Sequence, residues 1–119
     1  MAERQPSSLK RLLNAANYSR QGFLQAFHGE AAFREEVYLA AVLIPLACLL
    51  DVSSVERILM IGSVLLLLIV ELLNSAVEAA IDRIGQERHE LSGKAKDMGS
   101  AAVFLAVVIV ALTWGITLF

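Results

Sequence analysis

The sequence predicts an all-helical, polytopic membrane protein with three transmembrane helices and an N-terminal amphipathic helix on the membrane surface. Three observations predict it. Hydrophobic residues make up 57% of the 119 positions and the mean hydropathy is +0.65, too apolar for an ordinary soluble domain of this size. The apolar residues gather in three runs, Val37–Leu50, Ile58–Ile81 and Met98–Phe119. Lys and Arg are distributed unequally among the segments that flank those runs, as membrane topology requires.

The N-terminal element covers residues 7–29. Leu9, Leu12, Leu13 and Ala16 recur at helical spacing with Lys10, Arg11 and Asn14 between them, and Phe23 and Phe27 continue at i, i+4. That pattern is an amphipathic helix lying on the cytoplasmic surface. Ser7 or Ser8 is its expected cap. Gly22 and Gly29 are expected to break it.

The first span is assigned to residues 31–50. Its apolar part, Val37–Leu50, is short, so it takes in Ala31–Glu36 as an interfacial turn. Pro45 within it predicts a kink, or a missing backbone hydrogen bond met by a neighbour. The second span covers residues 58–81, and Gly85 is expected to end or kink its cytoplasmic extension. The third covers residues 98–119, carries no charge beyond Met98, and is long enough for roughly 30 Å of hydrocarbon. Tyr38 and Trp114 read as interfacial aromatics. One domain accounts for the chain.

Orientation follows from the basic residues. The N-terminal region holds Arg4, Lys10, Arg11, Arg20 and Arg34, and the segment between spans two and three holds Arg83, Arg88, Lys94 and Lys96. Residues 51–57 hold only Arg57. The N-terminus and the second loop are therefore expected in the cytoplasm, with the first loop and Phe119 facing the other side of the membrane.

Composition also excludes. A net charge of −2 gives no basic surface for a nucleic-acid partner. A single cysteine, Cys48, cannot form a disulfide framework within the chain and reads as a small hydrophobe used in packing. No cleavable signal peptide is expected, because the first thirty residues are polar and charged without an apolar core segment.

The chemistry is signalled inside the second span. Glu71, Asn74, Ser75, Glu78 and Asp82 interrupt an apolar run, and their offsets of 0, 3, 4, 7 and 11 place them on one helical face. A carboxylate at membrane depth costs roughly 2.5–3.5 kcal/mol on insertion scales and is functional by default. Glu71 and Glu78 lie about 10 Å apart along the axis, too far to share one ion unless other groups intervene. Glu78 and Asp82 lie nearer the cytoplasm, within reach of a hydrated cation and a charged substrate. Glu71 lies deeper, where a lipid headgroup sits, and is a candidate general base.

The loop leading into span three, His89 to Ser100, adds a second stripe. Ser92, Lys96 and Ser100 recur at i, i+4, i+8, and Lys96 is suited to bind phosphate as a point charge. Gly93-Lys94 is not a P-loop, because no Ser or Thr follows the lysine. His89-Glu90 lacks the second histidine of a zinc motif.

Taken together, Glu71-Leu-Leu-Asn74-Ser75-Ala-Val-Glu78-Ala-Ala-Ile-Asp82-Arg83, His89-Glu90-Leu91-Ser92 and Ala95-Lys96-Asp97-Met98-Gly99-Ser100 resemble the prokaryotic integral-membrane diacylglycerol kinases. Ala16-Asn17-Tyr18-Ser19 and Glu30-Ala31-Ala32-Phe33-Arg34 match as well, so the resemblance covers nearly the whole chain. It implies a homotrimeric bundle with active sites shared between protomers. It implies ATP-dependent, Mg²⁺-dependent phosphorylation of diacylglycerol to phosphatidic acid by direct in-line transfer. Gram-positive members of the superfamily phosphorylate undecaprenol; His89-Glu90-Leu91-Ser92 and Met98-Gly99-Ser100 look more like the Gram-negative diacylglycerol type.

The resemblance also assigns roles. Glu71 looks like the base for the lipid hydroxyl, and Glu30 and Glu78 like the metal ligands. Lys96 and Asp97 look like nucleotide contacts, with Glu87, Arg88 and His89 around the base or ribose. Arg11 and Tyr18 close over the nucleotide. Asn74 and Ser100 orient the acceptor lipid, with Glu35 near its headgroup. The competing class is a non-catalytic proton or cation pathway lined by Glu71 and Glu78; it leaves the residues around Lys96 without a purpose.

Overall fold

A computed structural model of the chain describes residues 7–85 and 89–119. Every regular element among them is helical: α1 (Ser8–Gly29), α2 (Ala31–Leu49), α3 (Ser54–Ile84) and α4 (Glu90–Leu118).

Ser7 caps α1, its Oγ accepting from the Lys10 N–H at 3.2 Å. The helix runs through Gly22 without a break, contrary to the expectation from sequence. One interior glycine costs about 1 kcal/mol against alanine, and packing on both sides of the helix end offsets it. Phe23 stacks on Phe33 with centroids 6.5 Å apart, and Phe27 meets Tyr38 edge-on at 5.9 Å. Aromatic pairs of this kind add about 0.5–1.5 kcal/mol each beyond their burial. Gly29 does end α1. Glu30 follows in extended conformation (φ −122°, ψ 111°) as the only residue between the two helices. The Arg34 guanidinium donates to the carbonyl oxygens of Phe27 at 2.8 Å and His28 at 3.2 Å. These are last-turn carbonyls with no partner inside α1, so Arg34 ties the end of α1 to the start of α2.

Helix α2 continues through Pro45. At its far end Arg57, from α3, gathers the turn: Nε donates to Ala47 O at 3.0 Å, and Nη2 to Leu50 O at 3.0 Å and Val52 O at 3.4 Å. Ser53 and Glu56 then start α3 with a reciprocal capping box. Gly85 ends α3, its N–H reaching Ile81 O at 3.2 Å.

Helix α3 is central, packed on α2 along one side and α4 along the other, while α1 packs on α2. Ala40, Ala47, Met60, Val64 and Trp114 form the buried cluster where α2, α3 and α4 meet. Trp114 is 8% exposed and its Nε1–H donates to Met60 O at 3.1 Å. It is a buried bridge between helices rather than an interfacial anchor, because the indole N–H finds its acceptor inside the seam. Ser63 Oγ donates to the same carbonyl at 2.8 Å. Cys48, by contrast, is exposed on α2 and packs no intrachain core.

Helix α4 starts at Glu90, so the segment before Met98 is helix rather than loop. His89 caps it, Nδ1 accepting from the Leu91 N–H at 3.1 Å, and Glu90 suits the positive end of the helix dipole.

The molecule measures 58 × 43 × 22 Å. Its thinnest dimension is about two helix diameters, too thin to surround any helix. Helices α3 and α4 are each long and apolar enough to cross a membrane, yet their apolar windows are only 28% and 11% buried. Intrachain packing therefore does not account for their hydropathy. Helix α2, with Arg34, Glu35 and Glu36 near its start, does not meet the same measure. The apolar stripe of α1 is also open: Leu9, Leu12 and Leu13 are each more than 60% exposed.

Candidate active site

The polar stripe of α3 emerges from the protein in steps. Glu71 is buried, at 6% exposure. Asn74, Ser75 and Glu78, one and two turns on, are half-buried, and Asp82 is exposed. Glu71 packs inside because the three-turn spacing from Met60 keeps it on the face that meets α2.

Two acceptors at the inner end of the stripe are unmet. Glu71 Oε2 and Asn74 Oδ1 are buried with no hydrogen-bond partner among the described residues. Buried polar atoms are nearly always paired, so these two oxygens mark a place where a further hydrogen-bond donor is required. Asn74 Nδ2 lies 3.5 Å from Glu78 Oε1 as a long donor contact. Gly99 of α4 lies against the Asn74 side chain, where a Cβ would collide with it.

The carboxylates of Glu78 and Glu30 act electrostatically on Glu71. Three acids predicted to serve one reaction are thus grouped, two from α3 and one from the junction of α1 and α2. Glu30 and Glu78 are only half-buried, which leaves them open to a hydrated ion. Carboxylate oxygens are the donors that Mg²⁺ takes, usually one or two with substrate phosphates completing the shell. The pair fits that requirement. Among the described residues, no group of three or more His, Cys, Asp or Glu side chains is placed to hold a metal ion.

A cavity of about 550 Å³ opens between α1 and α3. Ser19, Phe23 and Ala26 line one wall, Leu72, Ser75 and Ala79 the other, and Glu30 sits at its edge. It exists because α1 is held on α2 by its aromatic pairs and does not close onto α3.

Other predicted residues lie around this centre. Lys96 Nζ is paired with Asp82 Oδ1 at 3.2 Å, both side chains substantially exposed. Such pairs are worth about 0–1 kcal/mol, so a phosphate can compete for the ammonium. Asp97 and Ser100 are exposed on α4, and Glu35 on α2. Arg11 and Tyr18 are exposed on α1 and make no side-chain hydrogen bond among the described residues. His89 is engaged in capping α4. Glu87 and Arg88 lie outside the described residues.

Sequence reasoning passed over Glu36. It is half-buried, Glu71 and Glu35 are the charges that act on it, and its Oε2 is a third buried oxygen without a partner. The signal was helical spacing: Glu36, Ala40 and Ala47 fall on one face of α2.

Comparison with known proteins bears on this arrangement. The family model described as prokaryotic diacylglycerol kinase matches residues 17–118. A diacylglycerol kinase of Pseudomonas aeruginosa is 63% identical over 108 residues, covering 91% of this chain and 88% of that protein. One from Haemophilus influenzae is 57% identical over 113 residues, covering 95% and 96%. One from Escherichia coli K12 is 53% identical over 108 residues, covering 91% and 88%.

Proposed function

The chain belongs to the prokaryotic diacylglycerol kinase family, and from that premise we propose that it phosphorylates diacylglycerol to phosphatidic acid with ATP as donor. The transfer is direct and in line. The observation that carries the reading is Glu71: a buried carboxylate with an unmet oxygen, within electrostatic reach of Glu30 and Glu78.

Glu71 accepts the proton of the lipid hydroxyl as that oxygen attacks the terminal phosphorus. Asn74 and Ser100 orient the acceptor, and Glu35 lies near its headgroup. Glu30 and Glu78 would hold Mg²⁺, which when bound with the nucleotide offsets charge on the phosphate oxygens. Lys96 exchanges Asp82 for phosphate and adds positive charge, and Asp97 contacts the nucleotide beside it. Glu87, Arg88 and His89 serve the base or ribose, and Arg11 and Tyr18 close over the nucleotide from α1. Positioning and electrostatics supply most of the rate.

The same proposal includes the setting. Residues 31–50, 58–81 and 98–119 span the inner membrane and residues 7–29 lie on its cytoplasmic face. The C-terminus is periplasmic. The protomers form a homotrimer with shared sites; the open apolar faces of α3 and α4 and the thinness of the protomer support an assembly of several copies.

The test is ATP-dependent phosphorylation in mixed micelles, with diacylglycerol and undecaprenol offered separately and Glu71→Gln as control. Phosphatidic acid from the wild type, and none from a folded Glu71→Gln, is the expected result. Undecaprenyl phosphate alone would change the acceptor. No product from either lipid, with folded protein, would overturn the kinase reading.

A further inference from the structure

The register of α2 against α3 places a second carboxyl group opposite Glu71. Ala47 and Met60 are both fully buried in the cluster where the two helices meet, and Arg57 binds the Ala47 and Leu50 carbonyls beside them. The helices run antiparallel from that turn. Eleven residues separate Ala47 from Glu36 on α2, and eleven separate Met60 from Glu71 on α3. Eleven residues are close to three whole helical turns, so both acids keep the inward face and arrive at the same level. Burial agrees along the seam, with Ala40 at 6%, Val64 at 1% and Leu67 at 3% exposure between the two ends.

Three observations then coincide at that level. Glu71 is more than nine-tenths buried. Glu36 Oε2 and Glu71 Oε2 are both buried and unpartnered. Glu71 and Glu35 are the charges acting on Glu36, and Glu78 and Glu30 those acting on Glu71. Among the described residues the single ion pair, Lys96–Asp82, lies elsewhere. Two carboxyl groups at one level of a helix seam, with no cation paired to either among the described residues, repel one another unless they share a proton.

We propose that Glu36 is a positioning residue for the transfer: as a carboxylic acid it donates a hydrogen bond to the Glu71 carboxylate and holds it toward the acceptor hydroxyl. Glu36 itself touches neither the nucleotide nor the reacting atoms. The inference rests on the reading of Glu71 as the base. It adds what fixes that base in place, from a different helix.

The test compares Glu36→Gln, which keeps an N–H donor at the same length, with Glu36→Leu, which keeps the volume and no polar atom. Both are measured as the full chain in micelles, with kcat and KM for each substrate and a thermal unfolding scan. The expected result is that Glu36→Gln retains kcat within about threefold, while Glu36→Leu loses at least about tenfold, a barrier change of about 1.4 kcal/mol, at unchanged KM. Equal activity of Glu36→Leu and wild type would overturn the proposal. So would a Glu36→Gln as inactive as Glu36→Leu, which would require the carboxyl group itself, or a loss confined to KM, which would make Glu36 a binding contact. If Glu36→Leu does not fold, the Glu36→Gln result alone decides between these. Wild-type turnover in the same assay separates failure here from failure of the kinase reading.

Discussion

Gly99 of α4 lies against the side chain of Asn74 on α3 with no room for a Cβ between them. The carboxamide oxygen that would be struck is the buried, unpartnered one. Asn74 is the flexible partner, so Gly99→Ala turns the carboxamide rather than parting the helices. Alanine is also favoured over glycine in a helix interior by about 1 kcal/mol. The expected outcome is a thermal stability within about 1 kcal/mol of wild type and a turnover reduced about tenfold, read by unfolding scans and by phosphorylation of diacylglycerol. A large loss of stability with normal specific activity would show that Asn74 is packing and nothing more.

Arg57 predicts the opposite pattern. Its guanidinium closes the α2–α3 turn on three carbonyls, and hydrogen bonds from a charged donor are worth about 1.5–3 kcal/mol each when lost from a buried place. This turn is only partly buried, and water replaces some of that. Arg57→Met is expected to lower unfolding free energy by about 2–4 kcal/mol, with Arg57→Lys in between. Turnover of the folded fraction stays at the wild-type value, because Arg57 lies about 30 Å along α3 from Glu78. A fall in kcat that tracks neither stability nor folded fraction would refute that separation.

The start of α3 carries a pH dependence of known sign. Glu56 Oε1 accepts from the Ser53 N–H at 2.9 Å, and this bond, with the Ser53 side chain, holds the Glu56 carboxyl below its ordinary value of 4.5. A depressed folded-state value means stability that is complete above the unfolded value and is lost as pH falls through the folded one. Glu56→Gln removes the titration. Denaturation curves from about pH 6 downward should therefore converge for the two proteins as pH falls through the depressed folded-state value of Glu56, with the wild type the more stable above the ordinary value of 4.5. Parallel curves over that range would show that the capping carboxylate contributes no linkage.

The helices were legible in the sequence because each has a one-dimensional signal. Ser7, Gly29 and Gly85 are local punctuation, and the stripe from Glu71 to Asp82 needs only the helical period. Gly22 misled because its local cost is outweighed by Phe23 on Phe33, a contact between helices that spacing does not encode. Trp114 misled for the same reason: its acceptor, Met60 O, is 54 residues away. At the candidate site, Glu71, Asn74 and Glu78 announced themselves as polar residues in an apolar run. Glu36 did not, since it sits beside Arg34 and Glu35 where charge is expected at a membrane boundary. Only the pairing of α2 with α3 distinguishes it from its exposed neighbour Glu35.

Lys96 offers a test of whether its ion pair is structure or store. The ammonium is 3.2 Å from Asp82, with side chains 46% and 67% exposed. A pair so exposed contributes at most about 1 kcal/mol, so Lys96→Met and Asp82→Asn should each leave the unfolding temperature within a few degrees of wild type. Their kinetics should diverge. Loss of Lys96 removes the proposed phosphate contact and is expected to cut turnover about a hundredfold, roughly 2.7 kcal/mol at the barrier. Asp82→Asn removes only the competitor for the ammonium. Turnover should stay within about threefold and the KM for ATP should fall. Titrations of ATP against a fixed acceptor concentration resolve the two. Equal losses in both variants would mean that the bridge between α3 and α4, and not the release of Lys96 to phosphate, is what activity requires.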